Sequence, residues 1–262
     1  MYAKRFGKRK AVRARRPYKR VPRKRSGGRQ AITKIVKSVL SRQAENKAWF
    51  DYGANQSITC VASGPFISKN LIPVLSQGVG KSQRVGNEVR VKSGFVRGHV
   101  NILPFENTTN NLPVPCYVKM WVCSYKTLNS NGVSGTNQGT AFFDIVNGSI
   151  GPQGNMLDID FTVNKDSWVL HGTKTVKLGS AYPSATGPVG SSGYYDNSPM
   201  SAPFSFNFGK YIKTLKYDDA TTVATNRNMF LSFQVVPANG ATGSGQIMAE
   251  FHYTTRVEYE DA

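Results

Sequence analysis

Acidic residues are absent from the beginning of this chain of 262 residues, in which the first carboxylate is Glu45. Seventeen of the 34 Lys and Arg residues lie between Met1 and Arg42, whereas all 15 Asp and Glu residues come later. The rest of the chain thus has 17 basic against 15 acidic residues, a formal charge of only +2. This concentration of positive charge in one segment predicts a polyanionic partner, and a nucleic acid is the class that fits best.

Cysteine is scarce, and the three residues Cys60, Cys116 and Cys123 contain no C-x-x-C pair. Neither a disulfide framework nor a zinc site of the usual spacing is indicated, and we expect three reduced, buried thiols. Long apolar runs are missing as well. No stretch approaches the roughly 18 apolar residues of a membrane-spanning helix, and the N-terminus has no apolar signal segment. We therefore expect a soluble protein without a membrane partner.

Groupings of catalytic residues are also missing. The histidines stand singly on predicted strands, at His99, His171 and His252. Gly78–Ser82 resembles the end of a phosphate-binding loop, but Leu75 occupies the position of its first glycine and a strand pattern follows. Asp158 and Asp160 could share one face of an extended segment and attract a divalent cation, although a solvated strand edge is the simpler interpretation. We expect no enzyme, no metal site and no cofactor.

The basic residues fall in two segments of different character. Residues 1–29 hold 14 Lys or Arg with several Pro and Gly, so we expect this arm to be disordered on its own. Residues 30–46 place apolar side chains from Ile32 to Leu40 at the spacing of one helix face, which predicts a short basic amphipathic helix. The candidate nucleic-acid-binding residues of both segments are Lys4, Arg5, Lys8, Arg9, Lys10, Arg13, Arg15, Arg16, Lys19, Arg20, Arg23, Lys24, Arg25, Arg29, Lys34, Lys37 and Arg42.

Binding by these cations is expected to be independent of sequence, because each one neutralises a phosphate and releases a counterion. Tyr2, Phe6 and Tyr18 lie among the charges, and their rings are able to stack on unpaired bases, which favours a single-stranded partner. The blocks Lys8-Arg9-Lys10 and Arg23-Lys24-Arg25 also match nuclear localisation signals. We expect both uses of the arm to coexist.

After Trp49 the pattern changes to the alternation of β-strands, most clearly over residues 247–260. Further predicted strands, rich in β-branched and aromatic residues, are Ser57–Ser63, Asn87–Leu103, Cys116–Lys126, Ala141–Val146, Ser167–Leu178, Phe204–Tyr217 and Asn228–Val236. Segments dense in Gly, Ser, Asn and Pro predict loops at Leu128–Gly139, Asn147–Asn155, Gly179–Pro203 and Pro237–Gln246. Eight strands with long loops predict an all-β fold, an eight-stranded antiparallel jelly-roll sandwich over residues 47–262.

The segment Ser82–Lys92 reads SQRVGNEVRVK. It is similar to the S-x-R-[IV]-G-x-x-[IV]-x-[IVL]-K segment that leads into an early strand in capsid proteins of circular, replication-initiator-encoding single-stranded DNA viruses. With the basic arm and the strand order, the chain resembles a circovirus-like capsid protein. The resemblance implies an icosahedral shell of about sixty identical subunits, with the arms inside and loops such as Gly179–Pro203 outside.

The same resemblance implies single-stranded DNA as cargo, nuclear import receptors and an unidentified host attachment receptor as partners, and a location in the virion and the host nucleus. Inward-facing residues of the folded domain would then add to the arm's charge. The weaker nucleic-acid candidates of this kind are Arg84, Arg90, Lys92 and Arg97.

Three alternatives remain open at the level of sequence. A capsid protein of a small or satellite RNA virus has the same basic arm and jelly roll. A host nucleic-acid-binding β-sandwich protein also has a basic tail, but rarely such long uncharged loops. A glycan-active jelly-roll enzyme needs paired carboxylates on a concave sheet, and Glu250 and Glu258 show no partner in the sequence.

Overall fold

The computed structural model describes residue 32, residues 45–60, 67–103, 114–126, 142–144, 152–179 and 198–238, residues 240 and 245, and residues 247–261. The predicted arm and the loop segments 128–139 and 180–197 lie outside the described residues. Of the predicted helix 30–46, Ile32 is described and is helical. The last two residues of that prediction were wrong, because Glu45 and Asn46 pair with Asp261 and Glu260 as strand.

Within the described residues the chain forms nine strands. They are β1 (Glu45–Thr59), β2 (Ile67–Asn70), β3 (Glu88–Ile102), β4 (Cys116–Tyr125), β5 (Trp168–Leu178), β6 (Ser201–Asn207), β7 (Thr214–Lys216), β8 (Phe230–Pro237) and β9 (Ile247–Asp261). A one-turn helix α1 (Gly209–Ile212) and a 3₁₀ turn (Met156–Ile159) complete the described elements. None of the described helices is long and apolar enough to cross a membrane.

The strands form two antiparallel sheets. The first sheet has the order β1-β9-β3-β6, with the short β7 also beside β3, and the second has the order β2-β8-β4-β5. Strands from the two ends of the chain pair with each other, β1 with β9 and β2 with β8, while β4 pairs with β5 in the middle. A chain doubled back on itself in this way has the Greek-key winding of a jelly roll. The predicted fold class is confirmed.

The main core lies between the two sheets and is built from inward-facing residues at every second position. In β3 these include Val89, Val91, Val96 and Val100. Phe233 and Phe251 stack across the core with ring centroids 4.1 Å apart, joining the second sheet to the first. This alternation, hydrophobic inside and polar outside, is what a sheet with one covered face requires.

A second aromatic cluster covers part of the other face of the second sheet. Trp121 and Trp168 pack edge-on against Phe142 there, with centroids 5.4 and 5.3 Å apart. This cluster explains why β8 is buried at every position and why β4 has no simple alternation. The first sheet has no such cluster among the described residues, and its face turned away from the core is exposed along β3 and β6.

Several predicted strand boundaries were wrong. Ala141–Val146 was predicted as a strand, but residues 142–144 contain only a single bridge, from Phe143 to Val163, because these aromatic side chains serve the second cluster. The segment Phe204–Tyr217 is interrupted by α1, where Gly209 approaches the backbone of Gly94 so closely that a Cβ would lie 2.3 Å from the Gly94 nitrogen. The strand predicted at Ser57–Ser63 begins twelve residues earlier, at Glu45.

Other departures concern short or irregular segments. The four-residue β2 was not predicted, since Ile67–Asn70 is shorter than the patterns that sequence alone resolves. The last three residues of the predicted loop Gly179–Pro203 belong to β6. The long β1 is divided by a register shift between Gly53 and Gln56, where Asn55 has a positive φ of 52°. Such bulges increase strand twist and hide the alternation in the sequence.

Candidate nucleic-acid interface

All seventeen predicted arm and helix cations lie outside the described residues, so the structure offers the four body candidates for comparison. Three of them, Arg90, Lys92 and Arg97, lie on β3 and project from the exposed face of the first sheet. Arg84 precedes β3 and is buried, so its predicted contact with a nucleic acid is corrected.

Arg84 is fully buried and cannot contact a nucleic acid in the folded subunit. Its Nη1 donates hydrogen bonds to the Gly86 carbonyl and to Asn87 Oδ1, both at 2.8 Å. Its Nη2 donates to the carbonyls of Asp218 at 3.0 Å and Thr221 at 2.9 Å. The guanidinium thus ties the loop before β3 to the loop after β7, and its role is structural.

Arg90 and Lys92 stand at the end of the sheet where carboxylates neutralise them. Lys92 Nζ lies 2.6 Å from Glu260 Oε1 and donates to Asn46 Oδ1 at 2.6 Å. Arg90 lies 3.9 Å from the same Glu260 and keeps a side chain that is 72% exposed. These two cations are available at the surface, but part of their charge is already compensated.

Arg97 has a different environment. Its guanidinium carbon lies 4.5 Å from the centroid of the Phe95 ring on the same strand. Within the described part of the chain it makes no ion pair. A cation held over a ring in this way is fixed in position while its hydrogen-bond donors remain free for a ligand.

Strand register places aromatic and basic side chains in rows across this face. One row runs from Phe50 on β1 through Arg256 on β9 to Phe95 on β3. The next row runs from Tyr52 through Thr254 to Arg97. Side chains two residues apart along each strand point to the same face, so the two rows are adjacent.

The two aromatic side chains that β1 contributes are unusually exposed, whereas Phe95 is half-buried. Phe50 is 58% exposed and Tyr52 is 81% exposed. Arg256 lies over the Phe50 ring at 5.3 Å and pairs with Glu258 at 2.6 Å. Large aromatic rings left in water next to cations are typical of surfaces that bind nucleic acids or other partners.

A groove of about 520 Å³ lies on this face, and we call it the Arg97 groove. The residues that line it are Tyr52, Gly53, Phe95, Arg97, Gly98, His99, His252, Tyr253 and Thr254. His99 and His252 face each other in the β3–β9 register. His252 is held by the Asn55 N–H at Nδ1 and by Glu250 at Nε2, 3.1 Å away.

The predicted carboxylate pair was also corrected. Asp158 is buried in the 3₁₀ turn, where it accepts hydrogen bonds from the N–H groups of Gln153 and Gly154 and from Gln234 Nε2. Burial raises the pKa of this carboxyl above its ordinary value, although those hydrogen bonds oppose the shift. Neither the cation pair nor the solvated strand edge describes it. No group of three or more metal-ligating side chains occurs among the described residues.

The cysteines behave as predicted: all three are buried and reduced. Burial raises the pKa of Cys60 to about 11 and of Cys116 and Cys123 to about 12, so these thiols are protonated at neutral pH. The third histidine, His171, is satisfied by Ser124 Oγ at 2.7 Å and packs on Tyr211. Burial lowers its pKa.

Sequence reasoning missed the aromatic half of the interface. Phe50 and Tyr52 precede Ser57, where the first predicted strand begins, so the sequence pattern did not indicate that their rings lie exposed on a sheet. The opposition of His99 and His252 depends on the pairing of β3 with β9, which are separated by more than a hundred residues. The spacing of Phe95 and Arg97, two residues apart in a predicted strand, was the one sign in the sequence that a ring and a cation share a face.

The two sheets and the exposed face of the first sheet define the class of protein. It is an all-β jelly-roll protein with a polycationic N-terminal segment that precedes β1, an edge strand of its first sheet. No protein-family model matches the chain, and no curated protein sequence matches it. Among solved structures, one titled Desmodium yellow mottle tymovirus is similar over 83% of this chain and 88% of its own, with 11% identity and a TM-score of 0.32. A mavirus penton protein is similar over 83% of this chain and all of its own, with 9% identity and a TM-score of 0.23. With both TM-scores below 0.5, neither similarity supports a functional argument.

Proposed function

We propose that the chain is a viral capsid protein that assembles into a small icosahedral shell and packages a single-stranded circular DNA genome through its basic arm. The observation that carries the proposal is the union of two parts. One is an acid-free segment with 17 Lys and Arg, and the other is a nearly neutral jelly-roll domain. The domain supplies a rigid wall, and the arm supplies the charge.

The charge of the arm fits a packaging role better than a nuclear import role alone. A shell of about sixty subunits would gather about 1,000 positive charges, enough to offset a comparable number of phosphates. Such neutralisation needs no particular base sequence. The arm's affinity for single strands should fall by about 0.7 log units per contact for each log unit of salt.

The remaining features of the proposal follow from the arm and the resemblance of Ser82–Lys92. The blocks Lys8–Lys10 and Arg23–Arg25 address the protein to the host nucleus through import receptors, and the assembled shell is the virion. The partner subunits are identical copies, and no catalytic step, metal or cofactor is part of the function. In this proposal the loop predicted at Gly179–Pro203 belongs to the outer surface, where a host receptor attaches.

Electron microscopy of the purified full-length protein tests the assembly. Uniform closed particles support the proposal, whereas monomers or dimers at every ionic strength contradict it. Nuclease treatment of nucleic acid extracted from the particles then tests the cargo. Degradation by a deoxyribonuclease specific for single strands supports the DNA genome, and degradation by ribonuclease replaces it with an RNA genome.

A further inference from the structure

We propose that the Arg97 groove is a second binding site, which stacks an unpaired base of a single-stranded nucleic acid on Tyr52, beside Phe95, and contacts its phosphate through Arg97. This inference rests on the proposed packaging function and assigns part of it to the folded domain. The arm would then neutralise charge, while the groove fixes short stretches of the strand against the wall.

The first support is the exposure and placement of the rings. Tyr52 is 81% exposed on an edge strand, directly across β9 from Arg97 in the register of the first sheet. Phe95 lies two residues before Arg97 on the same face. Because every base has a π-face, flat rings beside a groove bind unpaired bases without selecting a sequence.

The second support is the distribution of charge on this face. Lys92 and Arg256 are compensated by Glu260 and Glu258 at 2.6 Å. Arg97, which makes no ion pair among the described residues, lies beside the groove. The uncompensated cation and the exposed Tyr52 ring therefore line the same groove. A phosphate and its adjacent base carry the complementary charge and surface.

The third support is the polar wall of the groove. His252 accepts the Asn55 N–H at Nδ1, so its Nε2 carries the proton that it shares with Glu250. That ring is held by the protein on both sides. His99, directly opposite, is exposed and lines the groove. It provides a donor or acceptor for a base edge without requiring one particular base.

The decisive experiment separates bases from phosphates. The full-length protein is titrated with a thymidine oligonucleotide and with an abasic oligonucleotide of equal length, at a salt concentration high enough to weaken the arm. Wild-type protein should prefer the base-bearing strand. The double variant Tyr52→Ala/Phe95→Ala should lose about five-fold to a hundred-fold of its affinity for that strand while its affinity for the abasic strand is unchanged.

Matched variants identify the contribution of each group. Tyr52→Phe keeps the ring and should keep the preference. Arg97→Met should weaken binding of both strands and reduce the salt dependence, whereas Lys165→Met, an exposed cation on the turn before β5, should not change either. Native near-ultraviolet circular dichroism confirms that each variant is folded.

Two results would overturn the inference: no preference of the wild-type protein for bases over abasic sugar, or an unchanged preference in the double variant. Both are independent of particle formation, so they are distinguishable from a failure of the capsid proposal. Photocrosslinking of a halogenated oligonucleotide gives a second reading. Crosslinks at Tyr52 or Phe95 support the groove, and crosslinks confined to residues 1–43 contradict it.

Discussion

Replacing Arg84 should destabilise the folded domain severely while leaving nucleic-acid binding intact, the reverse of what a surface cation would show. The guanidinium makes four hydrogen bonds of 2.8 to 3.0 Å to three carbonyls and one amide oxygen. It also lies 4.9 Å from the centroid of the Tyr217 ring. Arg84→Met removes the charge and all four hydrogen bonds, and of these acceptors the Asp218 carbonyl keeps other donors, the Thr221 N–H and Oγ1.

The magnitude follows from the number of groups left unpaired. A buried acceptor that loses its partner costs about 1–3 kcal/mol, and breaking a buried charged network costs about 3–5 kcal/mol in total once relaxation is included. We therefore expect the free energy of unfolding to fall by about 3–5 kcal/mol. For a domain of this size that corresponds to a decrease in Tm of roughly 6–20 °C. Arg84→Lys should lose less stability than Arg84→Met, because it keeps the positive charge. It should still be less stable than the wild type, because a single ammonium group cannot donate to acceptors on two loops as the forked guanidinium does.

Urea unfolding followed by tryptophan fluorescence measures the effect, on full-length protein freed of nucleic acid by nuclease and high salt. Arg97→Met is the matched control, because this exposed arginine makes no ion pair among the described residues and its loss should change stability by about 0.5 kcal/mol or less. A loss below about 1 kcal/mol in Arg84→Met would refute the structural role assigned here. So would a loss of oligonucleotide affinity at unchanged stability.

Three further outcomes are expected. A chain that starts at Ala44 should keep its cooperative unfolding transition, because its core is self-contained. It should lose most of its co-purifying nucleic acid, as absorbance at 260 and 280 nm measures, because it lacks the seventeen arm and helix cations. Burial raises the pKa of Asp158 in the folded state. The protonated carboxyl therefore contributes stability below the unfolded pKa near 4, and this contribution is lost as the pH rises through the folded pKa. Asp158→Asn should flatten the dependence of Tm on pH in that window. Cys60, Cys116 and Cys123 should react with a thiol reagent at neutral pH only after denaturation, in proportion to the fraction unfolded.

The sequence predicted the parts of the fold in which local pattern and tertiary environment agree. β3, β4, β5 and β9 fall within about two residues of their predicted bounds, because each is long and rich in β-branched or aromatic residues. The strand prediction failed where packing against other parts of the fold decides the conformation of a segment. Phe142 and Phe143 have strand propensity, but they fill the second aromatic cluster and form a turn with a single bridge.

In the candidate site, too, tertiary contacts decide what the local sequence pattern does not, and Arg84 and Arg97 show this most clearly. Arg84 precedes β3 by four residues and Arg97 lies within that strand, and residue type alone does not distinguish them. Arg84 is buried between two loops, where it donates to Gly86 and Asn87 before β3 and to two carbonyls of the loop after β7. The alternation of β3 instead turns Arg97 outward, with its guanidinium over Phe95. The segment Ser82–Lys92 is therefore not a run of phosphate ligands. Its first arginine builds the entry to β3, and the exposed face that β3 then presents is where binding by the folded domain is to be sought.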